Sequence, residues 1–292
     1  MREVLARPRG PYSLALSARL ASDATRVVRD GVLTATLEVG GRLERAAARQ
    51  APDGTLLLRA GSDEGLERLR FVLALDDDHT PFLRRFERDP LLGESVRRLR
   101  GLRPLRLATV AHALLRALCG QLIEGRRARA IERRIVRAAT PALDGLHAPP
   151  TAAALARFAP SELRALGLHT RRGATLVRLC RSLDLERLRE LPTETAAARL
   201  ERERGLGPWS VGLVCLEGLG RAERGLVGDL SLVKLCSALR GRWVEAWETA
   251  ELLEPYGEWA GLASVYLIAG YSRGLIPLPA SAAALRRPAA AA

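Results

Sequence analysis

Gly205-Leu206-Gly207-Pro208-Trp209-Ser210 decides how this chain folds, with Thr195 to Arg204 reading as a helix ahead of it and an apolar run to Leu216 behind it. Gly205 and Gly207 flank one apolar residue, and without Cβ atoms they can take positive φ and let another molecule approach the main chain. Pro208 suits the first position of a helix, where its fixed φ helps and its missing N–H is not missed. The segment from about 195 to 216 therefore reads as helix, hairpin, helix. N–H groups at the start of the second helix lie at the positive end of its dipole, where a phosphate oxygen can be held without side-chain charge. The same residues also suit an ordinary αα-hairpin, in which Gly205 merely caps one helix and Pro208 starts another.

Beyond Leu216, a glycine-rich stretch from Glu217 to Gly228 leads to Asp229-Leu-Ser-Leu-Val-Lys-Leu-Cys-Ser-Ala-Leu239. Asp directly before an apolar helical pattern is a favoured N-cap. It also sets a carboxylate beside a helix dipole, where a negative charge is stabilised.

With these residues in view, the chain resembles the helix-hairpin-helix DNA glycosylases, in particular the 3-methyladenine DNA glycosylase II branch. Gly205, Leu206, Gly207, Trp209 and Ser210 match that branch's hairpin, with Val211 in place of the usual Ala, and Asp229 to Leu232 match the segment around its essential Asp. Leu166 to Ala174 and Ala117 to Ile123 match two further stretches in the family's order, so the likeness covers roughly residues 105 to 275.

The resemblance implies an α+β fold in which a small antiparallel sheet domain precedes two mostly helical domains. It implies a monofunctional enzyme that flips an alkylated purine, of the 3-methyladenine or 7-methylguanine class, out of double-stranded DNA and hydrolyses its N-glycosidic bond. Asp229 would be catalytic, stabilising the oxocarbenium-like sugar or directing water to it. Trp209, Trp259, Leu213 and Leu230 would line the base pocket, the leucines standing where better-known members carry tyrosines. Gly205, Leu206, Gly207, Ser210, Arg171, Arg172 and Lys234 would bind DNA, and Gln121 or Leu122 would be the wedge that fills the emptied stack. Bifunctional relatives place a Schiff-base Lys within the hairpin, where this chain has Trp209; its only lysine, Lys234, lies beyond Asp229, so no lyase activity is expected. No cofactor is implied beyond a structural monovalent cation on hairpin carbonyls. Two alternatives stay open: a glycosylase of the same superfamily for an oxidised or deaminated base, and a non-catalytic DNA-binding module.

Composition agrees without deciding. A net charge of +13 and a pI near 10.9 favour polyanions. Yet the basic residues are nearly all Arg in an Ala-rich chain, a bias that GC-rich codon usage also produces. Arg126, Arg127, Arg129, Arg171 and Arg172 have no acidic neighbours in sequence and are the better phosphate candidates, whereas stretches such as 184–190 alternate sign and read as solvated faces. Cys119, Cys180, Cys215 and Cys236 are widely spaced among apolar residues, which suggests buried thiols and neither a disulfide set nor an iron–sulfur cluster. Asp76-Asp-Asp-His79 reads as an exposed turn, so no metal site is expected. No segment suits a signal peptide or membrane span, and the chain reads as a cytoplasmic, nucleoid-associated monomer.

Residues 1–80 differ in texture from the rest. Strand-like runs at 26–29, 32–39, 42–49 and 55–59 are separated by Asp30-Gly31, Gly40-Gly41 and Pro52-Asp53-Gly54 turns. Tyr12 to Leu20 is expected to add a strand and Glu64 to Leu73 a helix packed on the sheet. Residues 81–279 read as the helical core, holding the hairpin and the 229–239 segment, and 280–292 as a disordered tail.

Overall fold

The computed structural model describes residues 1–279; the expected tail, 280–292, lies outside them. The described residues form two compact units, one of Met1–His79 with Gly101–Arg221, the other of Thr80–Arg100 with residues 222–279. This differs from the expected division at residue 80: the sheet shares its unit with the residues from Gly101 through the hairpin.

In the first unit, strands β1 (Arg2–Ala6), β2 (Arg26–Arg29), β3 (Val32–Val39), β4 (Arg42–Gln50) and β5 (Leu56–Ala60) form an antiparallel sheet in the order β1-β5-β4-β3-β2. The β2–β3 turn puts both Asp30 and Gly31 at positive φ, and the β3–β4 turn does the same with Gly40 and Gly41, which suits two-residue hairpins. Alternate residues Leu33, Ala35 and Leu37 of β3, Ala46 and Ala48 of β4, and Leu56, Leu58 and Ala60 of β5 are buried. In the helix Asp63–Val72, capped by Ser62, Leu66 and Leu69 join the same core.

One expected strand is absent: Tyr12 to Leu20 contains instead the helix Leu14–Ala18, N-capped by Ser13. Leu14 and Ala18, four residues apart, share the buried face, a helical spacing that mimics alternation over so short a run. The fifth strand is β1, an edge whose first four residues are exposed, so it carries no burial pattern to read. The expected exposed turn at 76–79 is also corrected. Asp76 binds Arg70, Asp77 binds Arg106 at 2.6 Å, and His79 is buried, its imidazole pushed down to about 3 by burial and by Arg103 and Arg106.

Buried ions join the sheet to the helices. Arg116, on the helix Val110–Gly120, donates to Glu132 (2.9 Å), Glu217 (2.6 Å) and Asp23 (2.7 Å), and Arg26 pairs with Asp23 at 3.3 Å. His112 Nε2 lies 2.8 Å from Glu132. Asp23, His112 and Glu132 bring potential metal-ligand atoms within 4.8 Å of one another, but Arg116 already engages both carboxylates. Burial alone would raise the Asp23 carboxyl; Arg26 and Arg116 outweigh it and hold it at about 2, down from 3.8. Glu132 is likewise opposed by burial and held well below the usual range by Arg116 and His112.

In the second unit, Phe82, Phe86, Tyr256 and Tyr266 form an aromatic core with centroid spacings of 5.2 Å. A Cβ on Gly270 would fall 1.9 Å from the Ser95 hydroxyl, so glycine lets the helix Ala260–Tyr271 cross Gly93–Arg98 closely. Among the described residues, no helix is long and apolar enough to cross a membrane.

Removing Arg116 leaves buried carboxylates without their cation. Arg116→Met is expected to cost about 3–5 kcal/mol in urea unfolding. Because the Asp23 and Glu132 carboxyls are depressed in the folded state, the stability they confer is present above their ordinary values of 3.8 and 4.5 and is lost as pH falls, for Asp23 towards about 2 and for Glu132 lower still. An acid-unfolding midpoint unchanged in Asp23→Asn would contradict this account.

Candidate nucleic-acid interface and acidic helix cap

The hairpin forms as the sequence predicts, with shifted helix ends. Thr193–Glu201 leads to Gly205, and Pro208–Leu213 continues through a π-helical turn, Val214–Leu219, ended by Gly220 at φ +71°. The two glycines do different work. Gly205 has φ +99°, and a Cβ there would sit 2.8 Å from Thr175 Oγ1, so any other residue would be both strained and crowded. Gly207 has an ordinary φ of −97° and, as N-cap, offers no side chain to the N–H groups behind it; no heavy atom lies within 4 Å of where its Cβ would be. Gly205 shapes the turn, and Gly207 keeps the helix start open.

Behind the hairpin, Gln121 Nε2 donates to the Gly205 carbonyl and to Ser210 Oγ, both at 2.9 Å. This separates the two wedge candidates, because Gln121 braces the hairpin while the neighbouring Leu122 is 98% exposed at φ +54°. A large aliphatic side chain held in water at positive φ is strained and unsupported by packing. Trp209 is half-buried, with its Cη2 lying 2.5 Å from the position of a Gly120 Cβ, so the ring occupies the space that glycine leaves.

Other predicted DNA contacts divide by exposure. Ser210 is buried with its hydroxyl accepting from Gln121, and the Leu206 side chain is buried too, so Ser210 is a brace and Leu206 has only its main chain to offer. Leu213 is also buried. Arg171 is exposed and Arg172 half-buried at the start of the helix Thr170–Ser182; Thr175 of that helix touches Gly205 and donates to Arg171 O. Arg126 and Arg127 are exposed, but Arg129 lies 3.5 Å from Glu132, three residues on along the same helix, so it does have an acidic neighbour. All four cysteines are buried free thiols, and burial pushes Cys180 up to about 12.

In the second unit, Asp229 is the N-cap of the helix Leu230–Arg240, its Oδ1 accepting from Ser231 N at 2.8 Å. The turn before it is held by buried hydroxyls: Gly228 N donates to Thr249 Oγ1 (2.7 Å) and Leu226 N to Ser264 Oγ (3.0 Å). Asp229 is half-buried; Leu230 and Lys234, four residues apart and so on one helical face, are both exposed. Trp259 is half-buried with its ring 5.9 Å from Phe82, against the aromatic core. Sequence reading missed Thr249 and Ser264, since a buried hydroxyl that positions backbone leaves no mark in composition or period; it also missed Thr175, a half-buried residue beside Gly205.

The helix, glycine hairpin and helix of the first unit and the acid-capped helix of the second are the elements through which the sequence resembles the helix-hairpin-helix DNA glycosylases. The chain is 26% identical over 204 residues to the DNA-3-methyladenine glycosylase of Bacillus subtilis (strain 168), covering 66% of this chain and 67% of that protein. In fold it is similar to the 3-methyladenine DNA glycosylase from Archaeoglobus fulgidus, with a TM-score of 0.79 at 21% identity over 94% of this chain and 99% of that one. It is also similar to a Clostridium acetobutylicum 8-oxoguanine glycosylase/lyase in complex with DNA, with a TM-score of 0.77 at 18% identity over 94% and 96% of the two chains. No protein-family model matches. The likeness read from the hairpin thus holds in sequence and in fold, and the α+β class is as expected.

Gly120→Ala should displace the Trp209 ring at a cost of about 1–3 kcal/mol. The checks are the thermal midpoint and near-ultraviolet circular dichroism, and unchanged values would show that the ring does not depend on that glycine.

Proposed function

We propose that this protein is a monofunctional DNA glycosylase that excises alkylated purines from double-stranded DNA. The observation that carries the reading is Asp229, a half-buried carboxylate at the start of the helix Leu230–Arg240, fixed by Ser231 N at 2.8 Å. A carboxylate with one oxygen held in this way has a set orientation, which electrostatic catalysis requires.

In this reading the main chain of Gly205, Leu206 and Gly207 takes a phosphate, with Arg171, Arg172 and Lys234 adding charge, and Leu122 enters the stack that the flipped nucleotide leaves. Leu122 is the better wedge because its side chain is exposed, whereas the Gln121 side chain is committed to the hairpin. The resemblance assigns base contact to Trp209 and Leu213 in the first unit and to Trp259 and Leu230 in the second. Leu213 is buried and contributes shape alone.

As the C1′–N bond breaks, its electron pair leaves with the base and neutralises the cationic purine, while positive charge grows on the sugar beside Asp229. Water adds its oxygen to C1′ and gives up a proton to the carboxylate and then to solvent. A base that leaves as a neutral molecule needs no proton donor. That favours alkylated purines, whose departure asks nothing of a general acid. The hairpin position used for imine formation in bifunctional relatives is Trp209, and the sole lysine is Lys234.

Asp229→Asn keeps an oxygen for the Ser231 N–H but loses the charge. Release of free base from methylated genomic DNA should fall by at least about 1000-fold, with binding to an abasic-site analogue within about threefold of wild type. Substantial excision by the variant would remove Asp229 from the chemistry. Borohydride treatment during turnover should trap no covalent protein–DNA adduct; a trapped adduct would mean an amine nucleophile and a bifunctional enzyme.

A further inference from the structure

The helix Gly125–Ala139 carries six arginines in 15 residues, and they are not spread around it. Ala128, Ile131, Glu132, Ile135, Val136 and Ala139 are buried, which leaves the arginines the opposite side. At 3.6 residues per turn, Arg126, Arg133 and Arg137 fall within about 40° of one another and form one stripe. Arg126 and Arg137 are exposed and Arg133 is half-buried. None of the three makes an ion pair among the described residues. The helix's own carboxylate, Glu132, is turned inward to Arg116 and His112, and Glu124 just ahead of the helix pairs with no arginine. Other helices differ: Arg68 pairs with Glu64, and Arg97 and Arg98 pair with Glu94, each about one turn away. A general bias towards arginine explains the number of guanidinium groups but not a face without carboxylates. Arg133 and Arg137 stand four residues apart, a like-charge spacing that weakens the helix unless a polyanion lies along it.

The stripe is tied to the hairpin by two routes within the first unit. The helix begins four residues after Gln121, whose amide donates to the Gly205 carbonyl at 2.9 Å. Midway along it, Arg134 Nη2 lies 2.8 Å from where a Gly167 Cβ would be. Gly167 leads into the helix Thr170–Ser182, which starts with Arg171 and Arg172 and touches Gly205 through Thr175. We propose that Arg126, Arg133 and Arg137 form a second phosphate-binding surface, lying along one strand of the duplex that the hairpin engages; the choice of partner rests on the glycosylase reading above. From Arg126 to Arg137 the helix rises about 17 Å, over which one strand of B-form duplex presents about five phosphates. Arginine suits the task because its planar fork can give two N–H bonds to one phosphate. Phosphate contacts read no base, so the stripe holds damaged and undamaged duplex alike.

The test titrates an undamaged duplex of about 20 base pairs at several salt concentrations with wild type, Arg126→Gln/Arg133→Gln/Arg137→Gln and Arg126→Lys/Arg133→Lys/Arg137→Lys. Loss of three phosphate contacts should make the slope of log Kd against log salt shallower by about 2.7, and raise Kd at physiological salt by at least about tenfold. Arg133→Gln/Arg137→Gln should make it shallower by about 1.8. A duplex carrying an abasic-site analogue should lose affinity by the same factor, within about twofold, and the Lys variant should keep most of the slope. An unchanged slope in the triple Gln variant would overturn the inference, even if that variant lost affinity for single-stranded RNA, which would then be the occupant. A Lys variant as weak as the Gln variant would also overturn it, since packing and not charge would then be at stake, and so would a loss confined to one of the two duplexes. If wild type releases no base from methylated DNA while the triple Gln variant shows the shallower slope, the glycosylase reading falls and the phosphate surface stands.

Discussion

Arg116 is the interaction on which the first unit depends. Its guanidinium donates to three carboxylates from separate parts of the chain: Asp23 just ahead of β2, Glu132 on the helix Gly125–Ala139 and Glu217 in the π-helical turn behind the hairpin. A buried ion set costs desolvation and gives little net stability, but its geometry tolerates few arrangements. Here it fixes where the hairpin's second helix ends relative to the sheet. The sheet is thus part of the scaffold that orients the glycine turn. Arg26, which pairs with Asp23 and also donates to Arg106 O at 2.7 Å, extends the same framework.

The two units hold their key groups by different means. In the first, charge and side-chain amides do the positioning, with Gln121 gripping the hairpin at both Gly205 and Ser210. In the second, Thr249 and Ser264 hold the approach to Asp229 through neutral hydroxyls. These hydroxyls act on the main chain of Leu226 and Gly228, so they set the course of the turn that ends at Asp229.

What the sequence revealed follows from which features are local. Strands β2 to β5 and their turns could be read because alternation and paired turn residues lie within a few positions of one another, and so could the G-L-G-P-W hairpin and the capping Asp229. The Leu14–Ala18 helix could not, since five residues are too few for period 2 and period 3.6 to separate. Nor could β1, whose partner β5 lies some fifty residues away and whose exposed face shows no pattern. Burial of His79 depends on packing, which charge patterning along the chain misreports as solvent, whereas the Arg129–Glu132 pair, three residues apart on one helix, lay within reach of that patterning. Within the site, residue types were legible and roles less so: Ser210 matched the motif yet serves as an internal brace, and Gln121 and Leu122 proved distinct.

Lys234 is the one lysine in 292 residues, exposed on the helical turn below Leu230. Reagents that acylate primary amines therefore find a single side chain, plus the amino terminus, on a protein otherwise studded with unreactive guanidinium groups. A fluorophore coupled there would occupy a known place beside Asp229 without any engineered cysteine. Chance acylation at that amine would likewise fall on the helix that carries the carboxylate.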